Sequence, residues 1–194
     1  MNKSLEQVAE FHKLFNHRIG EEIDSEPLVT RQLRIKLLFE ELKELAEASD
    51  CKRTFIELCD DSTLAALQNF GLDPIDQIEA RKTTLDGFDI KDGDNVNNLE
   101  ELDALCDLQY VLNGKILTGG YHKVFDAAFD QVQENNMTKA HRSEEHAKIT
   151  LSKSDLVLSG NIEEKQGYYI VTNASGKIIK PWDHKKVSLE KFIK

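Results

Sequence analysis

The chain has 194 residues, enough for one domain with an appendage, and 40% of them are hydrophobic, enough to bury a core. Its formal net charge of -10 argues against nucleic acid and against an anionic membrane surface as partners, so an anionic ligand would need a divalent cation as intermediary. No apolar run is long enough to span a bilayer, and three cysteines (Cys51, Cys59 and Cys106) without a CxxC pair point to neither a disulfide framework nor a zinc site.

The opening Met-Asn-Lys-Ser-Leu-Glu-Gln is polar and helix-like, which leads to the expectation of a cytoplasmic chain without a signal peptide. From about Ser4 to Asn16, Leu5, Val8, His12 and Phe15 share one face of a short amphipathic helix. His12 reads either as a core-edge histidine or, with Phe15, as the border of a nucleobase pocket. Gly20 and the run Glu21 to Glu26 before Pro27 read as a connection, with Thr30 or Ser25 placed to cap the next helix.

That second helix, Arg34 to Ala48, carries Glu40, Glu41 and Glu44. At about 100° per residue, Leu38, Leu42 and Leu45 form a stripe, Glu41 and Glu44 border it, and Glu40 points further round. Glu-rich helices ordinarily face water. A second acidic set changes the reading, because Asp103 and Asp107, four apart in the stretch Asn98 to Gly114, stack on one helical face. Leu105, Leu108 and Leu112 occupy the opposite side, so this helix is expected to be buried, and buried carboxylates need a partner or a cation.

Between these helices, Asp50 to Asn98 reads as an insert. Arg53 to Cys59 can continue helically, Asp61 or Ser62 can cap a further helix over Thr63 to Phe70 that stops at Gly71, and Thr83 to Asn98 has loop chemistry. A calcium loop counted from Asp89 fails on spacing, with Lys91 third and Asp94 sixth. Asn98 and Glu101 fit a capping box, and Glu100 shares the face of Asp103 and Asp107 as a secondary candidate.

After Gly119-Gly120 a fourth helix is expected from Tyr121 to about His141. Its stripe of Phe125, Phe129 and Val132 continues into Asn136 and Lys139, which either line a site or are the fraying end of the helix. Farther on, Tyr168 to Thr172 and Lys177 to Lys180 flank Asn173-Ala174-Ser175-Gly176 like a β-hairpin, with Pro181 as a stop and a short helix over Val187 to Ile193. The fold class is all-α, a four-helix-bundle-type core with a small C-terminal β-hairpin appendage. The domain reading is 1–146 for the bundle, with 51–98 as insert, and 147–194 for the appendage.

No Glu-x-x-His occurs, so a di-iron bundle site is not indicated. Carboxylates alone suit Mg²⁺ or Mn²⁺, ions that accept phosphate oxygens and support attack of water at phosphorus. Hydrolysis of a phosphoanhydride is the implied chemistry.

Phe11-His12-x-x-Phe15, Glu40-Glu41-x-x-Glu44, Asp103-Ala104-Leu105-Cys106-Asp107-Leu108-Gln109-Tyr110-Val111 and Asn136-Met137-Thr138-Lys139 follow one another over about residues 8 to 140. Blocks of this kind, in this order, resemble the MazG-like all-α NTP pyrophosphohydrolases, particularly the phosphoribosyl-ATP pyrophosphohydrolase-like branch. The resemblance implies cleavage of a nucleoside triphosphate to monophosphate and pyrophosphate with Mg²⁺ or Mn²⁺. It implies Glu41, Glu44, Asp103 and Asp107 as metal ligands, and Glu40 with Glu41 as catalytic groups, Glu40 binding a further metal or positioning the attacking water. Asn136 and Lys139 would contact phosphates, and His12 and Phe15 would complete the substrate set. The broader family carries Glu three residues before the last Asp; here that position is Ala104, and Asp103 stands in on the same face. A homodimer or homotetramer is implied, as is house-cleaning of non-canonical or deoxy nucleotides such as dUTP. The alternatives are phosphoribosyl-ATP hydrolysis and a non-catalytic helical module that binds a nucleotide or a partner.

Overall fold

A computed structural model describes residues 2–23, 26–69, 91–154 and 160–193. The chain divides into two compact units, Met1–Tyr121 and His122–Lys194. The first holds α1 (Lys3–Leu14), α2 (Leu28–Ala48), α3 (Lys52–Asn69) and α4 (Asn98–Thr118). The second holds a 3₁₀ turn (Tyr121–Lys123, whose first residue closes the first unit), α5 (Phe125–Met137), α6 (Glu144–Lys153), the strands β1 (Asn161–Lys165) and β2 (Tyr168–Thr172), and a 3₁₀ turn at Glu190–Phe192. The fold is thus all-α with a small two-stranded antiparallel sheet near its C-terminal end. No helix among the described residues is long and apolar enough to cross a membrane.

In the first unit α4 is the central element, packing on both α2 and α1, while α3 rests on α2. Asn2 starts α1, its side-chain oxygen accepting the Leu5 amide at 3.0 Å. Leu5, Val8 and Ala9 of α1 meet Ile116 and Leu117 of α4 in the core. Helix α2 begins six residues before Arg34: Pro27 occupies the capping position, where its fixed φ suits the entry, and Thr30 lies inside the helix. Ser25, Phe70, Gly71 and residues 83–90 of the expected loop fall outside the described residues. No helix starts at Asp61 or Ser62, since the backbone of α3 runs through them without a break. The cap of α4 is Asn97, one residue earlier than the capping-box pattern predicts, and Glu101 instead accepts the Ser49 hydroxyl, tying the end of α2 to the start of α4.

The second unit departs further from expectation. Phe125 starts α5 after the 3₁₀ turn, and the helix ends at Met137, before Lys139. Strand β2 pairs with β1, from Asn161 opposite Thr172 to Lys165 opposite Tyr168, and Lys177 to Lys180 adds one bridge, Ile178 to Thr172. The physical reason lies in the two turns. Gln166 and Gly167 have φ of 55° and 77°, the doubly left-handed pair that a two-residue hairpin requires. Asn173 uses its side chain to accept the amides of Ser175 and Lys177, closing a second turn across which the Asn173 amide donates to the Lys177 carbonyl and the Ile179 amide to the Val171 carbonyl, a short pairing with one bridge. The closing segment over Val187 to Ile193 forms the single 3₁₀ turn named above.

Each unit is centred on a buried histidine. His12 donates Nδ1–H to the Arg18 carbonyl at 2.9 Å, so its Nε2 accepts from Arg34 Nη2 at 3.2 Å. His141 donates Nδ1–H to the Tyr169 carbonyl at 3.1 Å and accepts the Thr150 hydroxyl at Nε2, 2.9 Å away. Burial, opposed by the carbonyl each ring donates to, holds both imidazoles below their ordinary pKa and hence neutral. Below pH about 6.5 the unfolded chain therefore binds protons that these rings refuse, and stability falls with falling pH. The urea midpoint is expected to be lower at pH 5.5 than at pH 7.5; an unchanged midpoint would contradict this assignment.

Candidate active site

The acids come from the α2 and α4 helices that pack on one another. Ala48 and Ala104, both buried, sit at this crossing, where small side chains let the helices approach. The burial of Ala104 explains why a glutamate does not occupy that position: its side chain would have to enter the helix contact. Asp103, one residue earlier, lines the cleft beside the crossing.

That cleft measures about 410 Å³ and brings Glu44 and Glu47 of α2 to Glu100 and Asp103 of α4, with Lys43 and Asn97 at its edge. Glu40, Glu44, Asp103 and Asp107 are exposed and Glu41 is half-buried. The carboxyl of Glu41 is pushed above the usual carboxylate range, first by burial and then by the charges of Asp107, Glu44, Glu40 and Asp103. Glu41 therefore lies within the field of the other four acids. As they stand, no three acids, histidines or cysteines among the described residues converge closely enough to ligate one ion. The donor set is all-oxygen, anionic and mostly free to rotate, which fits a hard divalent cation in its chemistry.

The expected burial of Asp103 and Asp107 is corrected here. Among the described residues both sides of α4 reach water: Leu102, Leu105 and Leu112 are exposed at 60%, 48% and 39%, and Asp103 and Asp107 are exposed on the other side. Leu42 of α2, expected in the packed stripe, is exposed as well.

The remaining candidates separate. His12 is buried with both ring nitrogens bonded, which leaves no ring atom for a ligand. Phe15 is 55% exposed and joins Phe11, which meets Tyr110 edge-on with ring centroids 5.7 Å apart. Asn136 and Lys139 belong to the second unit, where the Lys139 ammonium donates to Asn136 Oδ1 at 2.8 Å. Glu47, which no motif singled out, and Glu100 both line the cleft. The sequence signal is spacing: Glu44 with Glu47 and Glu100 with Asp103 are i,i+3 pairs.

Residues 8–136 match the family model of phosphoribosyl-ATP pyrophosphohydrolase. The match places the chain among nucleotide pyrophosphohydrolases, hydrolases of phosphoanhydride bonds. It belongs to the phosphoribosyl-ATP pyrophosphohydrolase family, part of the MazG-like all-α NTP pyrophosphohydrolase superfamily. A search of curated proteins finds no match to the chain.

Proposed function

We propose that this chain is a Mg²⁺- or Mn²⁺-dependent nucleoside triphosphate pyrophosphohydrolase, acting on non-canonical or deoxy nucleotides such as dUTP and releasing monophosphate and pyrophosphate. The observation that carries this reading is the placing of five carboxylates on the packed helices α2 and α4, with Glu41 shifted by burial and then by the other four.

Glu41, Glu44, Asp103 and Asp107 would hold the cation, which supplies neutralisation of the triphosphate charge and acidification of water. Glu40 orients the attacking water, and Glu41 is the second catalytic carboxylate. Phe15 offers an exposed ring to the base, and by the family resemblance alone Asn136 and Lys139 are the candidate phosphate contacts. A homodimer or homotetramer is part of the same reading, supported by the leucines that α4 leaves exposed; a solution mass of a single 22.1 kDa chain would remove it.

The test is pyrophosphate release from a panel of canonical, deoxy and modified triphosphates, with Mg²⁺, Mn²⁺ or chelator. Metal-dependent release with a monophosphate product is expected. The family match favours a second reading, hydrolysis of phosphoribosyl-ATP; turnover of that compound with silence across the triphosphates would establish it instead.

A further inference from the structure

The second unit contains a larger groove, about 700 Å³, that none of the acids above enters. The tail forms one wall. Asn135 donates its amide to the Lys185 carbonyl at 3.0 Å, Gln131 donates to the Ser188 carbonyl at 2.6 Å, and Thr138 Oγ1 lies 3.2 Å from His184 Nδ1. Across the groove, His146 Nε2 holds Asp183 Oδ1 at 3.1 Å, and the Trp182 amide donates to Thr150 Oγ1 at 3.3 Å. Pro181 is buried between these attachments, so the wall is fixed at both ends.

The chemistry of the lining is unusual for a chain of net charge -10. Arg142 and Lys185 both line the groove, both are exposed, and neither forms an ion pair among the described residues. Asp183 is already engaged by His146, which leaves Glu134 as the remaining carboxylate of the lining. Beside the cations, Tyr168 and Met137 present an aromatic ring and a thioether, 45% and 61% exposed. The volume is that of a small-molecule site. The lining carries two carboxylates as well as two cations, but Arg142 and Lys185 are held by neither and can turn to phosphate oxygens, Arg142 as a planar fork and Lys185 as a point charge. A neighbouring ring and sulfur suit a planar base.

We propose that this groove binds a nucleotide directly, without a metal, with Arg142 and Lys185 on its phosphates and Tyr168 and Met137 against its base. It shares no residue with Glu40, Glu41, Glu44, Asp103 or Asp107 and stands whether or not those acids perform hydrolysis. The tail, which the sequence leaves without a role, becomes one wall of a binding site.

The test uses the full chain in excess EDTA, titrated with ADP and followed by calorimetry and by the fluorescence of Trp182, the only tryptophan. Saturable binding is expected, with Arg142→Gln and Lys185→Gln each weakening it by about tenfold, the loss of one charge-assisted contact. Both side chains are exposed, so neither change threatens folding. Pyrophosphate should bind more weakly than ADP, and Tyr168→Leu should narrow that gap. Absence of saturable binding in EDTA, or equal affinity in both charge variants, would overturn the site; equal affinity for pyrophosphate and ADP would overturn its assignment to nucleotides.

Discussion

Glu44→Gln and Asp107→Asn are each expected to reduce metal-dependent pyrophosphate release by at least about 100-fold, because changes even one layer outside a metal's ligands commonly cost 10- to 100-fold. Each replacement removes one anionic oxygen donor while keeping the shape of the side chain. Both positions are exposed, so the fold has little to lose. The helical circular dichroism should stay as it is. In the unaltered protein, Mg²⁺ should raise the melting temperature by relieving the repulsion that pushes Glu41 upward, and each variant should shrink that rise. Full activity in both variants would show that α2 and α4 do not hold the reacting centre.

Gly114→Val is expected to lower the melting temperature of the first unit by roughly 5–10 °C, from an overpacking cost of about 1–3 kcal/mol and the broken contact beneath it. Gly114 is the point of α4 over which the Arg34 side chain passes. A Cβ there would lie 2.7 Å from Arg34 Nη1 and 3.4 Å from His12 Nε2. Arg34 has no room to withdraw, since it is 8% exposed and its Nη2 already donates to His12. Glu26, buried and paired with Lys115, adds its charge to the same neighbourhood. Arg34→Met in the Gly114→Val background should recover part of the loss; additive losses would mean the clash is not the cause.

The acidic helices are legible in the sequence because helical periodicity and carboxylate spacing are local properties. Glu40, Glu41, Glu44, Asp103 and Asp107 fall on α2 and α4 as the period of the helix requires, and those helices pack together. What the sequence does not carry is which apolar face finds a cover. Leu102, Leu105 and Leu112 have the pattern of a buried helix, yet all three are exposed among the described residues. The hairpin illustrates a second limit. Asn173-Ala174-Ser175-Gly176 has stronger turn composition than Gln166-Gly167 and does return the chain to β2, but with one bridge at Ile178, whereas Gln166-Gly167 joins the longer ladder of β1 and β2. The core-edge reading of His12 agrees with its burial, but its partners, and the whole polar centre at His141, escape notice because they come from residues 6 to 28 positions away in the chain.

The contacts that fasten α5 to the tail also order events in time. Gln131, Asn135 and Thr138 reach acceptors and partners 57, 50 and 46 residues later in the sequence. During synthesis, the first unit has all of its chain once residue 121 has emerged. The second must wait for its last dozen residues, and until then the side-chain amides of Gln131 and Asn135 on α5 lack their acceptors in the tail. The two halves of this protein therefore become native in sequence, and the later one spends its immature interval as the stretch most open to misassembly or a protease.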